Sequence, residues 1–243
     1  MSEYRVDDEV ETTHGIYRVR LAYDELARDE DGPRGYDGNV AVVCAVSRDN
    51  RMAALPWEDE EIDKGVLDEH SFPVVARWLR IARGATIVLP LHASNDHDGT
   101  ALTVLDQTRY PLPAGSYDGI AFDTPQTRAE LGEDVTTAAV EGSIRIELDE
   151  HTKWATGEVY GFVVERQAVS PDGDVIGDWE HVDSCWGHIG RDWAAEAGTE
   201  ALAYAIEAGA EQHDIEQAEL AADAAEIAEL AACELGYLPG VPA

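Results

Sequence analysis

A chain of 243 residues is long enough for one large domain or two small ones with a sizeable core. Fifty Asp and Glu stand against 17 Lys and Arg, a formal net charge of -33, and such a field repels nucleic acid and anionic membrane while attracting basic proteins and cations. Three cysteines, Cys44, Cys185 and Cys233, cannot all pair and show no CxxC spacing, which fits a reduced cytoplasmic thiol set rather than a disulfide framework.

No apolar run reaches the roughly 18 residues that span a bilayer, and Met1-Ser2-Glu3-Tyr4-Arg5 lacks the pattern of a secretion signal. A soluble cytoplasmic protein without a membrane partner is the expectation. Lys64 and Lys153 are the only lysines, a skew towards arginine that fits a GC-rich genome or salt adaptation.

Residues 1–11 are polar and acidic and read as a mobile lead-in. Ile16 to Tyr23 gives a strand, and the acidic Gly/Pro-rich loop from Asp24 to Asn39 follows. Val40 to Val46 is a continuous apolar run of the length of a buried strand. An acidic cluster (Glu58, Asp59, Glu60, Glu61, Asp63) precedes Pro73 to Arg83. That stretch predicts a short amphipathic helix with proline in its first turn and Val74, Trp78 and Ile81 as its apolar face.

Further strands are expected over Thr86 to Leu91, Ala101 to Leu105 and Ser116 to Phe122. Thr124 then caps a helical turn begun by Pro125. Ser143 to Leu148, SIRIEL, alternates and predicts another strand.

From Gly157 to Gly190 the chain carries its most informative stretch. Val159 to Glu165 has β-branched and aromatic residues on both faces, and Pro171-Asp172-Gly173-Asp174 supplies a turn. The return ends at Ser184-Cys185-Trp186-Gly187. A long hairpin covered on both sides is expected, with Phe162, Trp186 and Val42 in one core and Tyr160 near its edge.

After Arg191 the composition turns to Ala and Glu, without Lys or Arg over residues 192–236. Leu202, Ile206, Leu220, Ile227 and Leu230 form a sparse stripe, so one or two helices are expected, with a break near Gly209. The fold class is α+β: a mainly antiparallel sheet with a few inserted helices over 12–192, and an acidic helical extension over 193–243.

Three pieces, in order, resemble an uncharacterised family of small acidic proteins found mostly in phages and mobile elements. They are Tyr23-Asp24 through Pro33-Arg34 and Tyr36-Asp37 to Val43-Cys44, then Leu89-Pro90-Leu91 with Asp96-His97-x-Gly99. The third is Gly157-x-Val159-Tyr160-Gly161-Phe162 with Val182-Asp183-Ser184-Cys185-Trp186-Gly187. The likeness covers roughly residues 16–195. His188 stands where the family has an aromatic residue, and the Ala/Glu extension is untypical of it. The family carries no established activity, so the resemblance implies a setting, an accessory protein of a mobile element, rather than a reaction.

Four constellations could carry chemistry. His181, Cys185 and His188 are candidate zinc ligands, although their spacing matches no zinc pattern. Cys185 with His97 is a candidate nucleophile and base, but no GxSxG elbow, P-loop or GxGxxG accompanies the pair, and packing is the simpler role for the cysteine. The Asp–Gly loops around Gly32, Gly99 and Gly173 lack a full calcium signature and read as turns.

The fourth is the row Glu196, Glu200, Glu207, Glu211, Glu219 and Asp223, whose i,i+4 pairs sit about 6 Å apart along a helix. That separation is near the spacing of phosphates on a nucleic-acid strand, about 6–7 Å. The expected function is a non-enzymatic accessory protein that binds a basic host partner, such as a nuclease or other DNA-binding protein. Its sharpest form is a nucleic-acid mimic of the antirestriction type, with no cofactor and no direct nucleic-acid contact. The rivals are a Cys/His or metal-dependent enzyme and a structural or assembly protein of a salt-adapted host or virus.

Overall fold

The computed structural model describes residues 5–27, 32–35, 37–46, 55–96, 99–106, 112–132, 134–170 and 172–236. Its strands are β1 (Arg5–Thr12), β2 (Gly15–Tyr23), β3 (Val42–Ala45), β4 (Val88–Asp96), β5 (Gly99–Val104), β6 (Gly119–Phe122), β7 (Val159–Val169) and β8 (Val175–Ile189). Its helices are α1 (Val66–Glu69), α2 (Phe72–Ala82), α3 (Pro125–Ala129), α4 (Thr137–Ala155) and α5 (Arg191–Gly236). Antiparallel sheets with inserted helices and a long C-terminal helix make this an α+β protein.

The chain divides into two compact units. One comprises Met1–Ala22, Gly161–Cys185 and Ala194–Ala243; the other comprises Tyr23–Tyr160 and Trp186–Trp193. The boundary expected between 192 and 193 therefore does not separate a core from an appendage, because α5 groups with the strands of the first unit.

In the second unit the sheet runs β3-β6-β4-β5. Strands β3 and β6 and the first half of β4 are apolar runs because both faces are covered there. Val43, Ala45, Leu89, Leu91 and Ala121 pack with Val140, Ile144 and Leu148 of α4. Cys44, Val88, Ile120 and Phe122, the alternate residues, pack with Leu67 of α1 and with Phe72, Val75, Ala76 and Leu79 of α2. Gly119 pairs with Ala45. A Cβ at position 119 would lie 2.8 Å from the Ala45 Cα, so only glycine lets β3 and β6 approach this closely.

Two expectations fail here for one reason, periodicity read over too short a window. SIRIEL is not a strand but lies inside α4. Val140, Ile144, Leu148 and His151 are buried at spacings of four, four and three, while Ile146, which alternation turned inward, is exposed. The helix at 73–83 forms as α2, with Ser71 at its start and Pro73 in its first turn, but with the opposite face inward. Phe72, Val75, Ala76 and Leu79 are buried, and Val74, Trp78 and Ile81 are 53%, 42% and 75% exposed. Thr124 caps α3 as expected, accepting from the Thr127 N–H in a capping box.

In the first unit the order is β1-β2-β7-β8. The stretch read as a lead-in is strand from Arg5, and β1 pairs antiparallel with β2 through a bulge between Val6 and Asp8. Only half of the long hairpin is covered. Interior β7 is buried from Val159 to Glu165, whereas β8 lies at the sheet edge and is largely exposed. Of the three residues expected in one core, Phe162 is buried and Val42 half-buried, whereas Trp186 is 43% exposed. The turn between β7 and β8 is built by Gly173 N–H to Ser170 O, 2.9 Å, and by Asp174 N–H to Ser170 Oγ, 3.0 Å. At positive φ, Gly173 makes it a backbone turn, which is the role its Asp and Gly suggest.

Candidate protein-binding face

Helix α5 runs 46 residues without interruption, about 70 Å. Gly209 does not break it. The small residues on one stripe let the helix lie close to its sheet: Ala194, Gly198, Leu202 and Ala205 are buried at spacings of four, four and three. A Cβ at Gly198 would sit 2.8 Å from Val19 Cγ2 and 3.1 Å from Phe162 Cβ. A Cβ at Gly209 would collide with the Tyr17 hydroxyl. Gly198 marks a close passage over β2 and β7 and Gly209 one over β2, and the cost in helix propensity is offset by those contacts.

At about 100° per residue, Glu196, Glu200, Glu207 and Glu211 fall on the stripe opposite the one that packs. All four are exposed. Glu219 and Asp223, expected in the same row, turn away from it: their positions lie on the flank that continues the packed stripe, beside Leu220 and Ile227. The row is thus four carboxylates, not six. With no Lys or Arg between residues 192 and 236, nothing on the helix neutralises them.

Elsewhere a set of acids serves the fold. Arg34, 8% exposed, donates to Glu58 at 2.8 and 2.7 Å and to Glu147 at 3.0 Å. Glu147 also accepts the Val40 and Ala41 N–H groups at 2.7 and 2.9 Å, and Glu58 accepts Val43 N–H at 2.7 Å. Burial works against the Arg34 charge, but the hydrogen bonds and charges of the two glutamates outweigh it and hold the guanidinium firmly protonated.

Asp59 and Glu61 bind Arg83 in the same way. Asp123, fully buried, accepts from Thr86 N–H, Thr86 Oγ, Ile87 N–H and Arg128. In the first unit, Glu165 pairs with Arg18 and Arg20, and the Arg18 guanidinium stacks 3.7 Å from the Trp179 ring centre. The acidic cluster at 58–63 is therefore partly a clamp on Arg34 and Arg83.

The other candidates are scattered. Cys185, expected to be a buried structural cysteine, is exposed on the edge strand. His97 and Asp98 lie outside the described residues. His181 shares a strand with Cys185 four residues on, about 13 Å at the rise of a strand, too far for the two to ligate one ion. His181 instead lies 3.1 Å from Ser184 Oγ. His188 belongs to the second unit, where it meets Trp193 edge-on and burial lowers its pKa. Among the described residues, no group of three or more His, Cys, Asp or Glu could hold a metal ion.

Among the described residues the buried thiol is Cys44, whose pKa burial pushes up to about 11. Its place in the apolar run Val40 to Val46 was the sequence signal for that. No helix among the described residues is long and apolar enough to cross a membrane. No family model matches the chain, and neither a curated protein nor a solved structure matches it.

Proposed function

We propose that this is a non-enzymatic accessory protein that acts in the cytoplasm by binding a basic partner, with the outer row of α5 as the contact. The observation that carries the reading is the segregation of charge. In the second unit Glu58, Asp59, Asp123 and Glu147 are clamped to arginines, whereas Glu196, Glu200, Glu207 and Glu211 stand exposed on one line of a continuous helix with no cation on it beyond Arg191. Like charges four apart weaken a helix by a few tenths of a kcal/mol per pair, so the row is a small cost that a binding role would offset.

The phosphate-like spacing makes a DNA-binding host protein, such as a nuclease, the sharpest form of partner, and the accessory setting follows the resemblance to proteins of phages and mobile elements. The test is competition. The purified protein should displace DNA from a basic DNA-binding protein, with an affinity that falls steeply as salt rises. A quadruple variant with Gln at 196, 200, 207 and 211 should lose that effect while remaining folded. Displacement by the variant equal to that of the native chain would remove the row from the reading. Failure to displace DNA from any member of a panel of nucleases and repressors would overturn mimicry.

A further inference from the structure

The structure points to self-association: we infer that a second copy of this chain lays the distal half of its α5 along the outward face of α2. The two faces are complementary in both charge and polarity. On α2, Val74, Trp78 and Ile81 recur at i, i+4 and i+7, and all three are exposed. Arg77 borders this stripe and Arg80 lies further round the same flank, both exposed, and among the described residues neither has an ion-pair partner. In a chain this acidic, where Arg18, Arg20, Arg34, Arg83, Arg128 and Arg145 are each held by a carboxylate, two uncommitted arginines on one helix face are out of pattern. Helix α2 contains no acidic residue.

The distal half of α5 offers the converse. Leu220, Ile227 and Leu230 are 61%, 67% and 60% exposed. They lie on the angular continuation of the stripe that packs Ala194, Gly198 and Leu202 on the sheet. Glu216 and Asp223 share this stripe and Glu219 and Glu226 border it, with no Lys or Arg among them. The leucine–isoleucine stripe spans about 15 Å and the α2 stripe about 10 Å, so one helix can cover the other along its exposed length.

Charge decides between the possible occupants. Two α5 helices laid together would set these acids against one another, and two α2 helices would do the same with Arg77 and Arg80. Pairing α2 with α5 removes both repulsions and buries both apolar stripes. The outer glutamate row, on the other side of α5, stays open, so this contact does not depend on the proposed binding of a basic partner.

Sedimentation velocity on the full chain at about 0.1 M salt, where charges beyond roughly 10 Å are screened, tests the inference. The native protein should show a concentration-dependent dimer. Ile81→Glu and Ile227→Glu replace side chains that are 75% and 67% exposed, so far-UV circular dichroism should be unchanged. Each should weaken self-association about tenfold or more. An equimolar mixture of the two should recover a 1:1 species, because each variant retains the face that the other lacks. A native protein that stays monomeric through the concentration series overturns the inference. So does a dimer indifferent to both substitutions, or a mixture that fails to associate.

Discussion

Helices α4 and α5 are both acid-rich and both pack one face on a sheet, yet their charges are handled in opposite ways. On α4, Glu147 is locked to Arg34 and to two backbone N–H groups, Glu141 pairs with Arg145, and Asp149 pairs with Lys153. On α5 the packing face is made of small residues, and the carboxylates have no cation on their own helix beyond Arg191. The contrast teaches where a net charge of -33 is structural and where it is surface. An acid that satisfies buried donors cannot be neutralised without consequence, whereas an acid on the outer row can.

Glu147→Gln puts the structural role of these acids to the test. The amide keeps one acceptor but turns an N–H₂ towards Arg34 or towards the Val40 and Ala41 N–H groups, all of which need acceptors. Losing one partner from a buried charge network is expected to cost about 3 kcal/mol, read as a lower denaturation midpoint. A loss below about 0.5 kcal/mol, the range of ordinary surface changes, would place α4 in the same class as α5.

The second test uses pH and again falls on α4. His151 is 7% exposed, beside Trp154, and its Nδ1 has no hydrogen-bond partner among the described residues. Burial, helped by the Arg34 charge, lowers its pKa from 6.5 to about 4. Between those values the unfolded chain binds a proton that the folded chain refuses, so stability falls as pH drops and is untouched by this group above pH 6.5. At pH 5 the expected loss relative to pH 7 is about 2 kcal/mol. His151→Phe should remove that part of the pH dependence, measured as the difference between denaturation midpoints at the two values. A variant whose midpoint falls as much as the native one would show that the imidazole carries no such penalty.

What the sequence disclosed follows from the same physics. Apolar runs such as Val40 to Val46 and Val159 to Glu165 reveal buried strands because cover on both faces leaves no polar position. Thr124-Pro125 reveals a helix start because capping is local chemistry. SIRIEL misled because six residues cannot separate a period of two from 3.6 when Ile146 happens to be exposed. Helix α2 carries apolar residues on two faces, so composition could not say which one packs; Leu79 and Val75 do so because α2 covers Ile120 and Phe122. The clamp of Glu58 and Glu147 on Arg34 left no mark in the sequence because that arginine is remote along the chain and joined to them only by the fold. The outer row of α5 was legible from spacing, but Glu219 and Asp223 drifted out of it as their offset from Glu211 accumulated around the helix.

The smallest expected effect separates binding from hydration as the purpose of that row. In Glu196, Glu200, Glu207 and Glu211, two i,i+4 like-charge pairs repel, so the quadruple Gln variant should gain a few tenths of a kcal/mol at low salt. The gain should vanish towards 1 M salt, where the Debye length shrinks to about 3 Å and the repulsion is already screened. If the row exists to keep the chain hydrated in concentrated salt, the order reverses: the variant should match the native chain at low salt and fall below it, or precipitate, in molar salt. Thermal melts of both proteins across a salt series decide the matter. A row kept for a partner is slightly unfavourable to the free fold and is best removed where salt is low; a row kept for solvation is missed only where salt is high.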